Sequence, residues 1–359
     1  MFFGLLLTAV SAASAACISA NDGCTEWIRP AGQPSRLVVY RTHSLEKRNE
    51  RITGAFVFVH GINRDADNHF RTALAAAFLA NSLNNILIVV PRFASNTTAV
   101  GSGAGACTDS LSIDEANWLC EAQRPDTWRS GGVEVGPNKL SSFDFMGEIL
   151  RRLARRELFP NLKAVVVAGH SAGGQFVIRY AMLNQLHEGL AVQISYVVAN
   201  PSSYAYVDDH RPTATAYAAP PSGGAQTARD TAPANSSSPA FIPYADAKNC
   251  TAFDAWPYGL KGRPEYGAAL SDHQITQQLV ARPVTYLLGE ADVLPLGVFD
   301  VSCPAMAQGP NRLARGLAFA RYANEYLHAR HKVLVVPFCS HSQRCMFTSD
   351  VALPLIFPK

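Results

Sequence analysis

Seven short runs of apolar, largely β-branched residues recur along the chain, at 37–40, 55–59, 86–90, 164–168, 194–199, 284–288 and 333–336. They are apolar at successive positions instead of at alternate ones, the pattern of strands covered on both faces. Between them, 68–80, 142–158, 173–186 and 312–331 carry apolar residues at helical spacing. Strand and helix in regular alternation predict an α/β fold with a doubly wound, mostly parallel sheet and helices on both faces. Two stretches break the alternation: 94–140, rich in Gly and Ser, and 201–272, rich in Pro, Ala, Ser and Tyr and of nearly low complexity over 211–239. Insertions this long are expected to be lids, pocket walls or surface excursions. The rest of a 359-residue chain suits one large core, so residues 17–359 are read as a single domain.

The run at 164–168 leads directly into Gly169-His170-Ser171-Ala172-Gly173, and a predicted helix follows. A Gly-x-Ser-x-Gly sequence between strand and helix is what a nucleophile elbow requires. The sharp turn leaves no room for a Cβ at Gly169 or Gly173, and it projects the Ser171 hydroxyl above the sheet at the positive end of the new helix. A serine hydroxyl reacts near neutral pH only when a base takes its proton and a third group orients that base. His341 follows the last predicted strand, where this topology returns the chain to the elbow, and Cys339 and Cys345 flank it. The rival histidines are His328 and His331 on the preceding helix and His273 in a loop. Asp292, just past the run at 284–288, is the preferred acid; Glu290 is its nearest rival and Asp208 and Asp209 are more distant ones.

The order Ser171, Asp292, His341 is that of α/β-hydrolases and differs from those of chymotrypsin and subtilisin. An oxyanion would be met by the backbone amide of Ala172 and by one from Val59-His60-Gly61-Ile62-Asn63, with Ile62 preferred over Gly61 and His60 ordering the loop. Through Phe58-Val59-His60-Gly61, the elbow, Gly289-Glu290-Ala291-Asp292 and His341, the chain resembles the α/β-hydrolase superfamily from about residue 37 to its end, the two insertions excepted. Among its branches it is most similar to secreted esterase-like members, including polyester depolymerases and feruloyl esterases. It departs from the lipase and esterase pattern where Gly61 is followed by Ile62-Asn63-Arg64 in place of further glycines. The resemblance implies a serine hydrolase that cleaves carboxylic esters through an acyl-enzyme, without metal or organic cofactor. An amidase or peptidase on the same fold, and a non-catalytic binding protein, are the alternatives.

The first residues form a short apolar run ending in small residues near Ala15 and Ala16, too short to span a bilayer but suited to a signal peptide over 1–16. Export accords with eight cysteines, which pair by proximity as Cys17 with Cys24, Cys107 with Cys120, Cys250 with Cys303, and Cys339 with Cys345. It also accords with glycosylation sequons at Asn96, Asn235 and Asn249. Neither Cys-x-x-Cys nor His-x-x-x-His spacing occurs, which argues against structural zinc. A net charge of +3 is too weak to imply a nucleic-acid partner. The densest basic cluster, Arg151, Arg152, Arg155 and Arg156, reads as the solvated face of a helix. Six aromatic residues in the insertions, Trp118, Trp128, Tyr204, Tyr206, Trp256 and Tyr258, are candidates for a pocket wall or for packing. The partner is a small or polymeric ester; chain length and oligomeric state are not legible.

Overall fold

The structure, a computed structural model, describes residues 15–96, 107–121, 124–217, 226–227 and 240–358. Most of the segment 1–16, expected to be a signal peptide, and Asn235 lie outside the described residues. The main sheet takes β1 (Thr25–Ile28), β2 (Leu37–Arg41), β3 (Gly54–Val59), β4 (Ile86–Pro91), β5 (Ala164–His170) and β6 (Gln193–Ala199). β7 (His210–Pro212) and β9 (Phe241–Pro243) form a separate antiparallel ribbon, and β8 (Gln226–Thr227) falls between them in sequence. β10 (Val284–Gly289) and β11 (Lys332–Val336) complete the main sheet, whose order is β1-β2-β4-β3-β5-β6-β10-β11-β8. It is parallel from β4 to β11 and antiparallel toward both edges.

All seven predicted strands lie in this sheet, and their continuous hydrophobicity has a direct cause. Along β5, Val165 and Val167 pack into one buried cluster while Val166 and Ala168 pack into the other; along β3, Ala55, Val57 and Val59 face the first and Phe56 and Phe58 the second. Edge strand β1 escaped prediction because only Ile28 of its four residues is buried, leaving no apolar run to read.

The helices are α1 (Ala66–Leu79), α2 (Ser142–Leu153), α3 (Ala172–Leu183), α4 (Glu265–Ala268), α5 (Asp272–Ala281), α6 (Cys303–Met306), α7 (Arg312–Arg321), α8 (Gln343–Phe347) and α9 (Leu353–Ile356). Two expectations need correction. The helix expected over 142–158 stops at Leu153, and that over 312–331 changes after Arg321 into a π-helical turn, Tyr322–Tyr326, followed by His328 with φ of 64°. Helix α5 was missed although Ser271 and Gln274 form a reciprocal capping box, a signal present in the sequence. The basic cluster faces outward as expected, with Arg152 and Arg155 pairing Glu46.

The insertions are packed, not draped. Trp118 and Trp128 are fully buried against Phe93, with ring centroids 5.5 and 5.6 Å away, and Trp128 also meets the His60 ring at 4.7 Å. Tyr204 stacks on Phe319 at 4.5 Å, and Trp256 donates its indole N–H to the Ser130 carbonyl at 2.9 Å, joining the second insertion to the first. The six aromatic residues are therefore buried packing residues, and none of them lines the cavities at Ser171. The four disulfides pair as expected.

Candidate active site

Strand β5 ends where α3 begins, and Ser171 occupies the one residue between them with φ 57° and ψ −117°, a conformation an L-residue holds only when its surroundings force it. Close approach of backbone does the forcing. A Cβ on Gly173 would lie 2.2 Å from the Val59 carbonyl oxygen, and one on Gly169 would lie 2.1 Å from the Gly173 carbonyl oxygen. The Ser171 amide donates to the Ala199 carbonyl at 2.9 Å, pinning the turn to the end of β6.

His341 and Asp292 arrive from the ends of β11 and β10. His341 Nε2 lies 2.9 Å from Ser171 Oγ, and His341 Nδ1 lies 2.7 Å from Asp292 Oδ2. An ionised carboxylate can only accept, so Nδ1 carries the proton and Nε2 is free to receive the serine hydrogen. Asp292 is fully buried, and its other oxygen faces Arg312 Nη1 at 3.4 Å. Arg312 also donates to the Ser202 hydroxyl and to the carbonyls of Leu296 and Val298, fixing the loop that follows the acid. Asn200 bridges the two loops, accepting from the Gly289 amide at 2.8 Å and donating to the Ser340 carbonyl at 3.3 Å. Neither Arg312 nor Asn200 carries a sequence signal, because each acts by side-chain hydrogen bonds into other loops, Arg312 into residues 14 to 20 positions before it and Asn200 into residues 89 and 140 positions after it.

The rivals take other places. Glu290 accepts from the Phe338 amide at 2.9 Å. Asp208 and Asp209 lie beside His210. His331 is buried between the Tyr286 hydroxyl and the Leu279 carbonyl, and burial pushes its pKa down to about 4. His170 packs its ring 4.7 Å from that of His341; burial holds it well below the usual histidine range, so it stays neutral beside the base.

On the far side of Ser171, Gly61 comes close enough that a Cβ there would lie 3.8 Å from the serine Cβ. His60 Nε2 accepts from the Phe93 amide and Nδ1 lies 2.9 Å from the Gly61 carbonyl, which fixes its tautomer; burial pushes its pKa down to about 3. Arg64, at φ 57°, donates to the Ile62 carbonyl and pairs Asp109 at 2.6 Å. Side-chain bracing thus stands where further glycines were expected. Ile62 and Ala172 line the same small cavity as Ser171, of about 20 Å³, and no described residue accepts from either backbone N–H.

A second cavity of about 220 Å³ meets Ser171 from the His341 side and is lined by Gly61, Ile62, His69, Val298 and Gln343 as well. Beside it, Val293, Leu294, Leu296, Val298 and Val301 form an exposed apolar loop that sequence reading passed over, since its hydrophobicity reads like that of a strand end. Two larger concavities, of about 530 and 550 Å³, contain none of Ser171, Asp292 or His341.

Fold and site together define a hydrolase built on a nucleophile elbow. The chain belongs to the alpha/beta hydrolase family, whose model matches residues 56–352. Among solved structures, a poly(3-hydroxybutyrate) depolymerase from Bordetella parapertussis is similar with a TM-score of 0.55 at 18% identity, over 90% of this chain and 84% of that one. Poly(aspartic acid) hydrolase-1 from Sphingomonas sp. KT-1 is similar with a TM-score of 0.55 at 20% identity, over 93% and 97%. Both likenesses are of fold. No curated protein sequence matches the chain.

Proposed function

We propose that this hydrolase is a secreted serine esterase acting through Ser171, His341 and Asp292. The observation that carries the reading is the unbroken chain of 2.9 and 2.7 Å contacts from the Ser171 hydroxyl through His341 to Asp292. His341 takes the proton as Ser171 attacks the ester carbonyl, and Asp292 stabilises the imidazolium that forms. The amides of Ile62 and Ala172 receive the oxyanion, with Gly61 permitting the close approach of that loop. His341 then returns its proton to the departing alcohol, and water releases the acid from the acyl-enzyme.

The route of the proton sets the substrate's direction. The alcohol must leave beside His341, in the 220 Å³ cavity next to the exposed apolar loop. The acyl group must lie in the 20 Å³ cavity with the oxyanion amides, which His341 does not line. Export is supported by four disulfides, and no helix among the described residues is long and apolar enough to cross a membrane. Asn249 is exposed and suits glycan attachment, whereas Asn96 is half-buried with its side-chain amide donating to the Asp109 carbonyl.

Intact mass after fluorophosphonate treatment tests the nucleophile. One adduct on the wild type and none on Ser171→Ala is expected; an unlabelled, folded wild type would overturn the reading. A panel of matched esters and amides tests the substrate class, and faster turnover of the amide would make the enzyme an amidase.

A further inference from the structure

The acyl cavity is lined by a cation that no described residue ion-pairs. Arg129, from the first insertion, is 3% exposed and lines the cavity with Ser171, Ala172 and Gln175. The only hydrogen bond its guanidinium makes to a described residue is from Nη2 to the Glu121 carbonyl at 2.7 Å, and its buried Nε has no partner. No carboxylate among the described residues comes within ion-pairing distance of it. Burial pushes its pKa down to about 10, so it remains charged at neutral pH. A buried guanidinium without a counter-ion is costly, and one facing a substrate cavity is offset when the ligand supplies the charge.

The surroundings add to that excess. Arg129, Arg179, Arg312 and Arg315 are all buried around this end of the cavity, against the buried carboxylates of Asp292 and Asp300. Asp292 is taken by His341 and Arg312. Asp300 lines the cavity too, with its oxygens accepting from two neutral donors, the Tyr258 hydroxyl at 2.7 Å and the Ser302 amide at 3.0 Å; its charge offsets part of that on Arg129, Arg179 and Arg315, which leaves four buried cations against two buried carboxylates. Behind Arg129, Arg179 donates to the Arg129 carbonyl, the Pro257 carbonyl and the Ser203 hydroxyl, so the segment carrying the cation is tied to both insertions. The cavity is narrow, about 20 Å³, which favours a short acyl chain over a long one.

We propose that Arg129 is a specificity residue for the acyl group, and that the preferred substrates are esters of a short acid carrying a second, ionised carboxylate. The proposal rests on the esterase reading for which cavity is the acyl side. In it, the guanidinium binds the free carboxylate through a charge-assisted hydrogen bond and holds the ester carbonyl against the Ile62 and Ala172 amides.

The test compares monobenzyl succinate with benzyl butyrate. The wild type should show a kcat/KM at least about tenfold higher on the succinate half-ester, and Arg129→Gln should lose about 30-fold on that substrate and under about 3-fold on the butyrate. Arg129→Lys should retain more of the preference than Arg129→Gln. A wild type that prefers butyrate, or an Arg129→Gln that slows both esters alike, would overturn the proposal. Because Arg129→Gln alters a buried side chain that folding also uses, calorimetry on Ser171→Ala provides a measurement that leaves Arg129 in place: succinate should bind about tenfold tighter than butyrate, and equal or absent binding would overturn the proposal. Fluorophosphonate labelling of the wild type separates the two failures, since an unreactive Ser171 ends the esterase reading while succinate binding still decides the role of Arg129.

Discussion

Ser171 and the facing pair of Asp292 and His341 are held by different means. Ser171 is positioned by backbone packed on backbone: β5, α3 and the end of β3 approach so closely that Gly169 and Gly173 leave no room for a methyl group. Asp292 and His341 sit on loops held by side chains, chiefly Arg312 and Asn200, which reach across from other elements. A turn fixed by steric exclusion tolerates almost no substitution. A pair fixed by hydrogen bonds to distant side chains can be weakened by degrees, and it is here that the geometry of catalysis is adjustable.

The comparison predicts a graded series. Gly173→Ala should be the most damaging change, because its Cβ meets the Val59 carbonyl at 2.2 Å and only backbone movement relieves it; a loss above about 3 kcal/mol in denaturant unfolding is expected. Stability near that of the wild type would mean that the elbow is looser than steric packing implies. Arg312→Met should cost about 3 kcal/mol by leaving Asp292 buried without its partner, and should slow fluorophosphonate labelling well below the melting temperature, with Arg312→Lys recovering part of the rate. Unchanged labelling would reduce Arg312 to a packing role.

Removing the disulfide that brackets His341, with Cys339→Ser and Cys345→Ser together, should cost about 2 kcal/mol, since a short loop constrains the unfolded chain little. The last effect is one of slope and belongs to the loop that carries Gly61 and Ile62. His60 has a folded pKa of about 3, below its unfolded value, so between roughly pH 3 and 6.5 the unfolded chain binds more protons and stability falls as the pH is lowered. His60→Gln should flatten that dependence by about 1 kcal/mol per pH unit, measured by denaturant midpoints between pH 4 and 7. An unchanged slope would mean that His60 does not stay neutral in the fold.

The same contrast explains what was legible in advance. The Ser171 elbow depends on residues within a few positions of one another, so glycine spacing and the flanking strand and helix revealed it. Asp292 and His341 were legible through chain order and their places after β10 and β11, whereas Arg312 and Asn200 look like any helix-start arginine and strand-end asparagine. The aromatic residues of the insertions were ambiguous in the sequence: Trp118, Trp128 and Tyr204 suited a pocket wall or packing, and burial decides for packing, while the wall is made by Arg129, Gln175 and Val298.

By itself, the sequence determined the parallel sheet, its strand count near the centre and the elbow, because each follows from local period or local spacing; it left the pairing of eight cysteines open, and the fold settles it on the pairs that proximity favours. Tertiary structure alone decided which side of Ser171 is narrow and cationic and which is open and apolar. That choice depends on two insertions meeting at Arg179 and on a loop tethered by the Arg312 side chain from the start of α7, tertiary contacts that no local pattern encodes.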